Sequence, residues 1–172
     1  MEKLLFSWGP FQQGLIVQGV GNKALLNEPL TGFFASRQCP GTAIRAAMDW
    51  AVAQARGKLP VIGGFHSPLE QSVLEVLLAA RSPAVAVLAR DVAGATFPVD
   101  WREPIEAGRM AVISISQGVS RLTAELAAER NTLVARLAQY SVVAHSATGG
   151  SLAGQIEAWK AEGLRIQPLP SL

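Results

Sequence analysis

Short apolar runs alternate with amphipathic stretches along most of the chain, and this alternation predicts a sheet covered by helices. The apolar runs span residues 30–37, 59–65, 84–89, 110–115 and 140–144, and we expect a sixth, closing strand at 164–167. Unbroken apolar runs of this length are typical of strands that are covered on both faces. Because strands and helices alternate with short links, we expect a Rossmann-like, doubly wound α/β fold with about six mostly parallel strands.

Helical patterns separate these runs. Ser67, Pro68 and Glu70 supply an N-cap, a first-turn proline and a capping-box glutamate, which predict a helix start. Residues 120–139 have helical composition, but we expect residues 129–131 to interrupt the helix because asparagine favours caps. The predicted inner face of the helix after residue 40 consists of six residues at spacings of three and four. They are Ile44, Ala47, Met48, Ala51, Val52 and Ala55.

The chain has the length and composition of one globular domain over residues 1–172. We expect a short edge strand at 14–20 and a helical turn at 21–27 within an N-terminal part, 1–29, and a core at 30–170. Hydrophobic residues make up 49% and charged residues 16%, which excludes a disordered chain. No internal repeat or long linker divides the sequence.

Charge and cysteine content limit the function further. The formal net charge is +2, but 11 of the 15 basic residues are arginines, which grip phosphate or carboxylate bidentately. Cys39 is the single cysteine, and no Cys or His cluster suits a metal, so we expect neither a metal nor another cofactor. The N-terminus has no signal-peptide pattern and no apolar run approaches the roughly 20 residues of a membrane span, so we expect a cytoplasmic protein that does not contact a membrane.

Polar groups and glycines follow most of the predicted strands. In a parallel sheet the carboxyl ends of the strands share one edge, so these residues are expected to converge there. They are Ser36, Arg37, Gly63, Gly64, Phe65, His66, Arg90, Ser116, His145, Thr148, Gly149, Gly150 and Ser151.

A phosphate site is the leading chemical hypothesis for this edge. Glycines let backbone N–H groups approach an anion closely, and a following helix N-terminus adds its dipole. We expect the anion between the Ser36–Arg37 turn and the Thr148–Ser151 turn, with Arg37 as a ligand. Phe65 is the one aromatic residue at this edge and is a candidate for base stacking. Tight helix–strand packing also requires glycine, and the sequence has neither GxGxxG nor GxxxxGK[ST], so the alternative of purely structural glycines stays open.

Several short motifs, in this order, resemble the Rossmann-like core of the DNA-processing protein A (DprA, also called Smf) family. The resemblance covers roughly residues 20–163. Its motifs are Gly21-Asn22 with Leu25, Leu26 and Asn27, then Ser36-Arg37, Gly63-Gly64-Phe65 in place of an "SGLA" turn, Arg130-Asn131, and Gly150-Ser151-Leu152.

The resemblance implies single-stranded DNA or nucleotide binding, with Arg37, Arg130, Asn131 and the glycine turns at the phosphates. Members of the family bind single-stranded DNA and help load a recombinase during natural transformation. This chain departs from the usual "GSR", "GID" and "RRNR" motifs and from an acidic residue after the fifth strand. The corresponding residues are Ala35-Ser36-Arg37, His66-Ser67-Pro68, Glu129-Arg130-Asn131-Thr132 and His145-Ser146. A divergent, stand-alone core is what the resemblance implies.

Three functions remain open from the sequence. The first is a DprA-like nucleic-acid or nucleotide-binding module, linked to DNA processing or uptake. The second is an enzyme similar to the related nucleotide phosphoribohydrolases, but residues 147–151 lack the proline of a PGGxGTxxE turn and Glu157 lies too far along. The third is a regulatory or structural partner with a vestigial pocket. Binding is favoured over catalysis because no pair of a nucleophile and a general base is evident. A homodimer is left open.

Overall fold

An eight-stranded sheet forms the centre of the computed structural model, which describes residues 3–10, 14–115, 118 and 121–169. The strands are β1 Phe6–Trp8, β2 Val17–Gly21, β3 Thr31–Ala35, β4 Val61–Gly63, β5 Ala84–Val87, β6 Met110–Ser114, β7 Tyr140–His145 and β8 Ile166–Pro168. Their order across the sheet is β1-β2-β6-β5-β4-β3-β7-β8.

Helices cover both faces of the sheet. They are α1 Gly41–Arg56, α2 Pro68–Ala79, α3 Arg102–Glu106, α4 Ala124–Leu137 and α5 Ser151–Ala161, with 3₁₀ helices at Lys23–Asn27 and Val99–Trp101. Helices α1, α2 and α3 pack on one face, and α4, α5 and the first 3₁₀ helix pack on the other. The predicted doubly wound α/β architecture is therefore confirmed.

The six strands from β3 to β8 run parallel, which agrees with the mostly parallel sheet of about six strands expected from the sequence. Two further strands, β1 and β2, extend the sheet beyond the six expected. Strand β2 pairs antiparallel with β6, and β1 pairs antiparallel with β2. The segment predicted as an edge strand is thus the second strand, because the unpredicted β1 covers it.

Successive residues of β3 supply the two halves of the core. Phe33 stacks on Trp50 of α1, with ring centroids 5.2 Å apart. Phe34 points to the other face and meets Trp159 of α5 at 5.0 Å. Both phenylalanines are fully buried, which is the alternation expected of a strand between two helical layers.

The predicted inner face of α1 is partly wrong. Ile44 and Val52 are exposed, whereas Trp50 and Gln54 are buried. The helix is rotated away from the predicted stripe because the large Trp50 ring fits against Phe33, and that contact buries more apolar surface than Ile44 would.

Helix α4 continues through the predicted interruption at residues 129–131. Arg130 is buried and Asn131 is half-buried, and their side chains bond to each other and to α5. Asparagine is a poor interior residue because its side chain competes for the backbone, and here a tertiary partner removes that competition.

Helix α2 begins as predicted. The Ser67 side chain accepts a hydrogen bond from the backbone N–H of Glu70, and the Glu70 carboxylate accepts one from the backbone N–H of Ser67. Pro68 occupies the first turn, where its missing N–H costs nothing.

Candidate anion site at the carboxyl edge of the sheet

The order of the strands changes direction between β3 and β7. From β3 the chain proceeds through α1 to β4, on one side, whereas from β7 it proceeds through α5 to β8, on the other side. In open α/β sheets this switch leaves a crevice at the carboxyl ends of the two strands, and ligands bind there.

Ser36 joins the two turns that flank this crevice. Its hydroxyl oxygen accepts a hydrogen bond from the Ala147 backbone N–H at 2.9 Å, and its own N–H donates to the carbonyl oxygen of His145 at 2.9 Å. The Ser36–Arg37 turn and the turn that leads to Ser151 are therefore adjacent, as the sequence predicted. The Ser36 hydroxyl is engaged in holding them together.

Two of the long helices begin at the switch without a side-chain cap. Pro40 precedes α1 and Gly150 precedes α5, and neither residue has a side-chain acceptor for the N–H groups of the first turn. Helices α2 and α4 are capped instead by Ser67 and Thr123. The first backbone N–H groups of α1 and α5 thus keep their donor capacity at the positive ends of their dipoles.

Arg130 of α4 lies against the turn that follows β4. A Cβ placed on Gly64 would be only 2.6 Å from Arg130 Nε, so the guanidinium occupies the space that any other residue at 64 would need. Arg130 Nε donates to Asn131 Oδ1 at 2.9 Å, and Asn131 Nδ2 donates to Gln155 Oε1 at 3.1 Å. Gln155 in turn donates to the carbonyl oxygen of Ala128 at 2.9 Å. This chain of bonds fixes the guanidinium from α4 and α5.

The Arg130 side chain is buried without a carboxylate ion pair among the described residues. Only 7% of the residue is exposed. Burial lowers the pKa of Arg130, and the Glu70 carboxylate opposes that effect from a distance. A buried guanidinium is costly unless it is paired, and such an imbalance is typical of sites that receive an anion.

His66 lies within the fields of both candidate arginines. Burial lowers the pKa of this histidine below its usual 6.5, and Arg130 and Arg37 lower it further, while Glu70 raises it. Arg37 is exposed after β3, and Arg130 enters from α4. The charges of Arg37 and Arg130, which come from two other parts of the chain, therefore both act on His66.

Glu70 holds the two turns of this basic cluster in place. Its Oε2 accepts a bond from the Ala35 N–H at 3.0 Å, and Oε1 accepts bonds from the N–H groups of His66 and Ser67 at 3.0 and 3.2 Å. The carboxylate is buried and thus links the end of β3 to the start of α2. Sequence reasoning identified the cap but missed the bond to Ala35, which is 35 residues away.

A cleft of about 890 Å³ opens beside the cluster, between α2 and residues 98–104. The residues that line it at the carboxyl edge of the sheet include Gly64, His66, Arg90 and Arg130. Its size lies within the usual range for small-ligand sites. This cleft was not predicted. The prediction considered only residues that directly follow strands, whereas the walls of the cleft come from α2 and from residues 98–104.

The other predicted site residues have varied positions. Gly63 is buried within β4, and the Phe65 ring is 5% exposed and packs in the core, so it offers little surface for stacking. Gly149 adopts a left-handed conformation with φ of +75°, which suits glycine in a tight turn. Ser116, which was expected at the same edge, lies outside the described residues. Gln155 was missed, and no local signal marks it.

Two classes of feature are absent from the described part of the chain. Its His, Cys, Asp and Glu side chains form no group of three or more that could hold a metal ion. None of its helices is both long enough and apolar enough to cross a membrane.

The fold defines a Rossmann-like α/β protein whose strand order changes direction between β3 and β7. The chain belongs to the family described as DNA recombination-mediator protein A, whose model matches residues 12–164. No curated protein matches the chain.

Solved structures share the fold at low sequence identity. DNA processing protein A from Helicobacter pylori, described for its single-stranded DNA binding mode, has a TM-score of 0.77 and 12% identity over 98% of this chain and 81% of that one. The Streptococcus pneumoniae protein has a TM-score of 0.78 and 15% identity over 99% of this chain, which spans 64% of that chain, less than two thirds. The molybdenum cofactor carrier protein of Chlamydomonas reinhardtii follows, with a TM-score of 0.55 and 11% identity over 82% of this chain and 76% of that one.

Proposed function

We propose that this chain binds single-stranded DNA through its phosphates at the carboxyl edge of the sheet, as a DprA-type module that acts in DNA processing. Arg37, His66 and Arg130 form the anion site, and the N-termini of α1 and α5 supply backbone donors beside it. The Asn131 and Gln155 side chains position Arg130 and do not themselves contact the phosphate.

The observation that carries this proposal is the burial of Arg130 without a carboxylate partner among the described residues. Two charges in a partly dry site attract more strongly than they do in water, so a phosphate oxygen would stabilise the guanidinium substantially. Its Nε is already occupied by Asn131, which leaves the terminal nitrogens for a ligand in the cleft.

Two further points support DNA over a free anion. The family described as DNA recombination-mediator protein A includes this chain, and the similar Helicobacter pylori protein is described as binding single-stranded DNA. The site is also an open edge and not an enclosed cavity, because Arg37 is exposed beside the turn at Ser36. A continuous strand could therefore pass along it.

The test compares binding of a fluorescent single-stranded oligonucleotide to the wild type and to Arg37→Ala. We expect the variant to lose about 1.5 to 3 kcal/mol of binding free energy, the usual contribution of a charge-assisted hydrogen bond. The melting temperature should be unchanged because Arg37 is exposed and outside the core. Anisotropy titrations at constant salt measure the affinity.

The matched control is Arg56→Ala. Arg56 is also an exposed arginine, but it ends α1 at the opposite edge of the sheet. Both variants change the net charge equally, so a general electrostatic effect would weaken both alike. Equal affinities for wild type and Arg37→Ala would remove Arg37 from the site, and no binding by the wild type would remove the proposed function.

A further inference from the structure

The cleft beside the basic cluster has an apolar middle. Leu78 of α2 is half-buried and lines one wall, whereas Val99 and Trp101 line the other. Leu74 and Leu88 also line the cleft, but Leu74 is only 4% exposed. Val99 is 88% exposed, so its side chain is not packed within the protein. Such a surface is suited to a flat, partly apolar group placed between the two walls.

Charges are separated along the length of this cleft. His66, Arg90 and Arg130 lie at the carboxyl edge of the sheet, whereas Glu75 and Asp100 lie on the walls. Helix α2 begins beside His66 and runs toward the opposite edge, as does the chain from Pro98 into α3. Glu75 comes eight residues after the Ser67 cap, which places it about 12 Å along the helix axis.

Two carboxylates that line the cleft, one on each wall, are free of ion pairs within the described ranges. Glu103, which also lines the cleft, is paired with Arg109. Within the described ranges, Glu75 and Asp100 have no ion-pair partner. Carboxylates accept hydrogen bonds from amino groups and repel phosphates, so the two ends of the cleft favour opposite ends of a ligand.

The wall formed by the segment after β5 is held in place. Lys3 Nζ donates to the carbonyl oxygens of Val92 at 3.1 Å and Ala93 at 3.2 Å, and also to that of Ala95. Asp91 accepts a bond from the N–H of Gly118 at 3.1 Å. These bonds hold residues 91–95, which lead from β5 to the wall at residues 98–104.

We propose that this cleft takes one nucleotide unit of the bound strand and selects a base that carries an exocyclic amino group. The inference rests on the proposed function. The phosphate meets Arg130, His66 and Arg90, the base lies between Leu78 and Trp101, and its amino group donates to Glu75 or Asp100. A base with a carbonyl at the same place brings two acceptors together, which is unfavourable.

Cytosine and uracil provide the matched ligands for a test. They differ in an amino donor at N4 against a carbonyl acceptor at O4, with similar size and stacking. Oligo-dC and oligo-dU of equal length are titrated by anisotropy against the wild type. We expect oligo-dC to bind about fivefold more tightly, the lower end of the discrimination that one base contact provides.

The variant that tests the two carboxylates is Glu75→Ala combined with Asp100→Ala. Both residues are exposed, so the fold is preserved, and circular dichroism and the melting temperature check this. The ratio of the two affinities should fall to about one. The loss of negative charge should strengthen the binding of both oligonucleotides equally. The ratio of the two affinities is not affected by such an equal change. The control Glu28→Ala removes an exposed carboxylate remote from the cleft and should keep the wild-type ratio.

The outcomes separate this inference from the proposed function. Equal affinities for oligo-dC and oligo-dU in the wild type, or a ratio unchanged in the double variant, would overturn base selection. If Arg37→Ala still weakens both oligonucleotides in that case, the phosphate site stands without it. If the wild type binds neither oligonucleotide, the proposed function fails as well.

Discussion

The guanidinium of Arg130 lies directly over the backbone of Gly64. A Cβ at position 64 would meet Nε at 2.6 Å, Cδ at 2.7 Å and Cζ at 2.8 Å. These three distances are shorter than the contacts that Cβ atoms make in proteins. Only glycine at position 64 therefore leaves room for the Arg130 side chain where it lies. The relationship ties α4 to the turn after β4 and explains why a glycine follows that strand.

Gly64→Ala should displace Arg130 and weaken binding of single-stranded DNA. Overpacking of this kind costs typically about 1 to 3 kcal/mol of stability, and the guanidinium would also leave its bond to Asn131. Denaturant unfolding and anisotropy titration measure the two effects. Gly94→Ala is the control, because a Cβ there meets nothing within 4 Å. An unchanged affinity in Gly64→Ala would show that the position of Arg130 is irrelevant to binding.

Glu70→Ala should destabilise the fold by roughly 3 kcal/mol, since it leaves three backbone donors without their acceptor. Glu75→Ala on the same helix is exposed and should stay within about 0.5 kcal/mol of the wild type. Urea unfolding of the two variants provides the comparison. Similar stabilities would mean that solvent replaces the Glu70 bonds without cost.

The salt dependence of DNA binding should be shallow. A net charge of +2 and one basic cluster offer contacts to only about two to four phosphates, each contributing about 0.7 to the slope of log affinity against log salt. Arg37→Ala should reduce the magnitude of the slope by about 0.7. Titrations over a series of salt concentrations measure it. A steep slope would instead indicate a wider basic surface or an oligomer.

Binding should strengthen as the pH falls. Burial, Arg130 and Arg37 lower the pKa of His66 below 6.5, so the imidazole is neutral at neutral pH in the free protein. A bound phosphate favours the protonated form and raises that pKa, so affinity increases as the pH drops below about 6.5. The free protein should meanwhile lose stability over the same range, because the unfolded chain binds the proton more readily.

His66→Gln checks that assignment. Anisotropy titrations at constant ionic strength across this pH range should show a dependence in the wild type and a much flatter one in the variant. A pH dependence that persists in the variant would assign the proton to another group.

Most of the strands and their succession along the chain could be predicted because local patterns carry them. Continuous apolar runs marked β3 to β7, and Ser67 with Glu70 marked the start of α2. Strand β1 was missed, since three residues of mixed exposure give no periodic signal. The orientation of α1 was predicted wrongly. The spacing of apolar residues does not show whether Trp50 or Ile44 is the one that is buried.

The candidate site could be predicted only where it depends on topology. Parallel strands necessarily bring Ser36 and the turn near Ala147 to the same edge, whatever their separation in sequence. Contacts between helices follow no such rule. The bond from Asn131 to Gln155 depends on how α4 and α5 pack, and this made an expected helix break into a buried part of the site.

The three bonds that Glu70 accepts have a consequence for the kinetics of association. They join the end of β3 to the start of α2, so the turns that bear Arg37 and His66 cannot move independently. A ligand then meets donors that already stand in their bound arrangement and loses little free energy to ordering them. Encounter with DNA should therefore proceed in one step, at a rate set by diffusion and charge and not by a rearrangement of the protein.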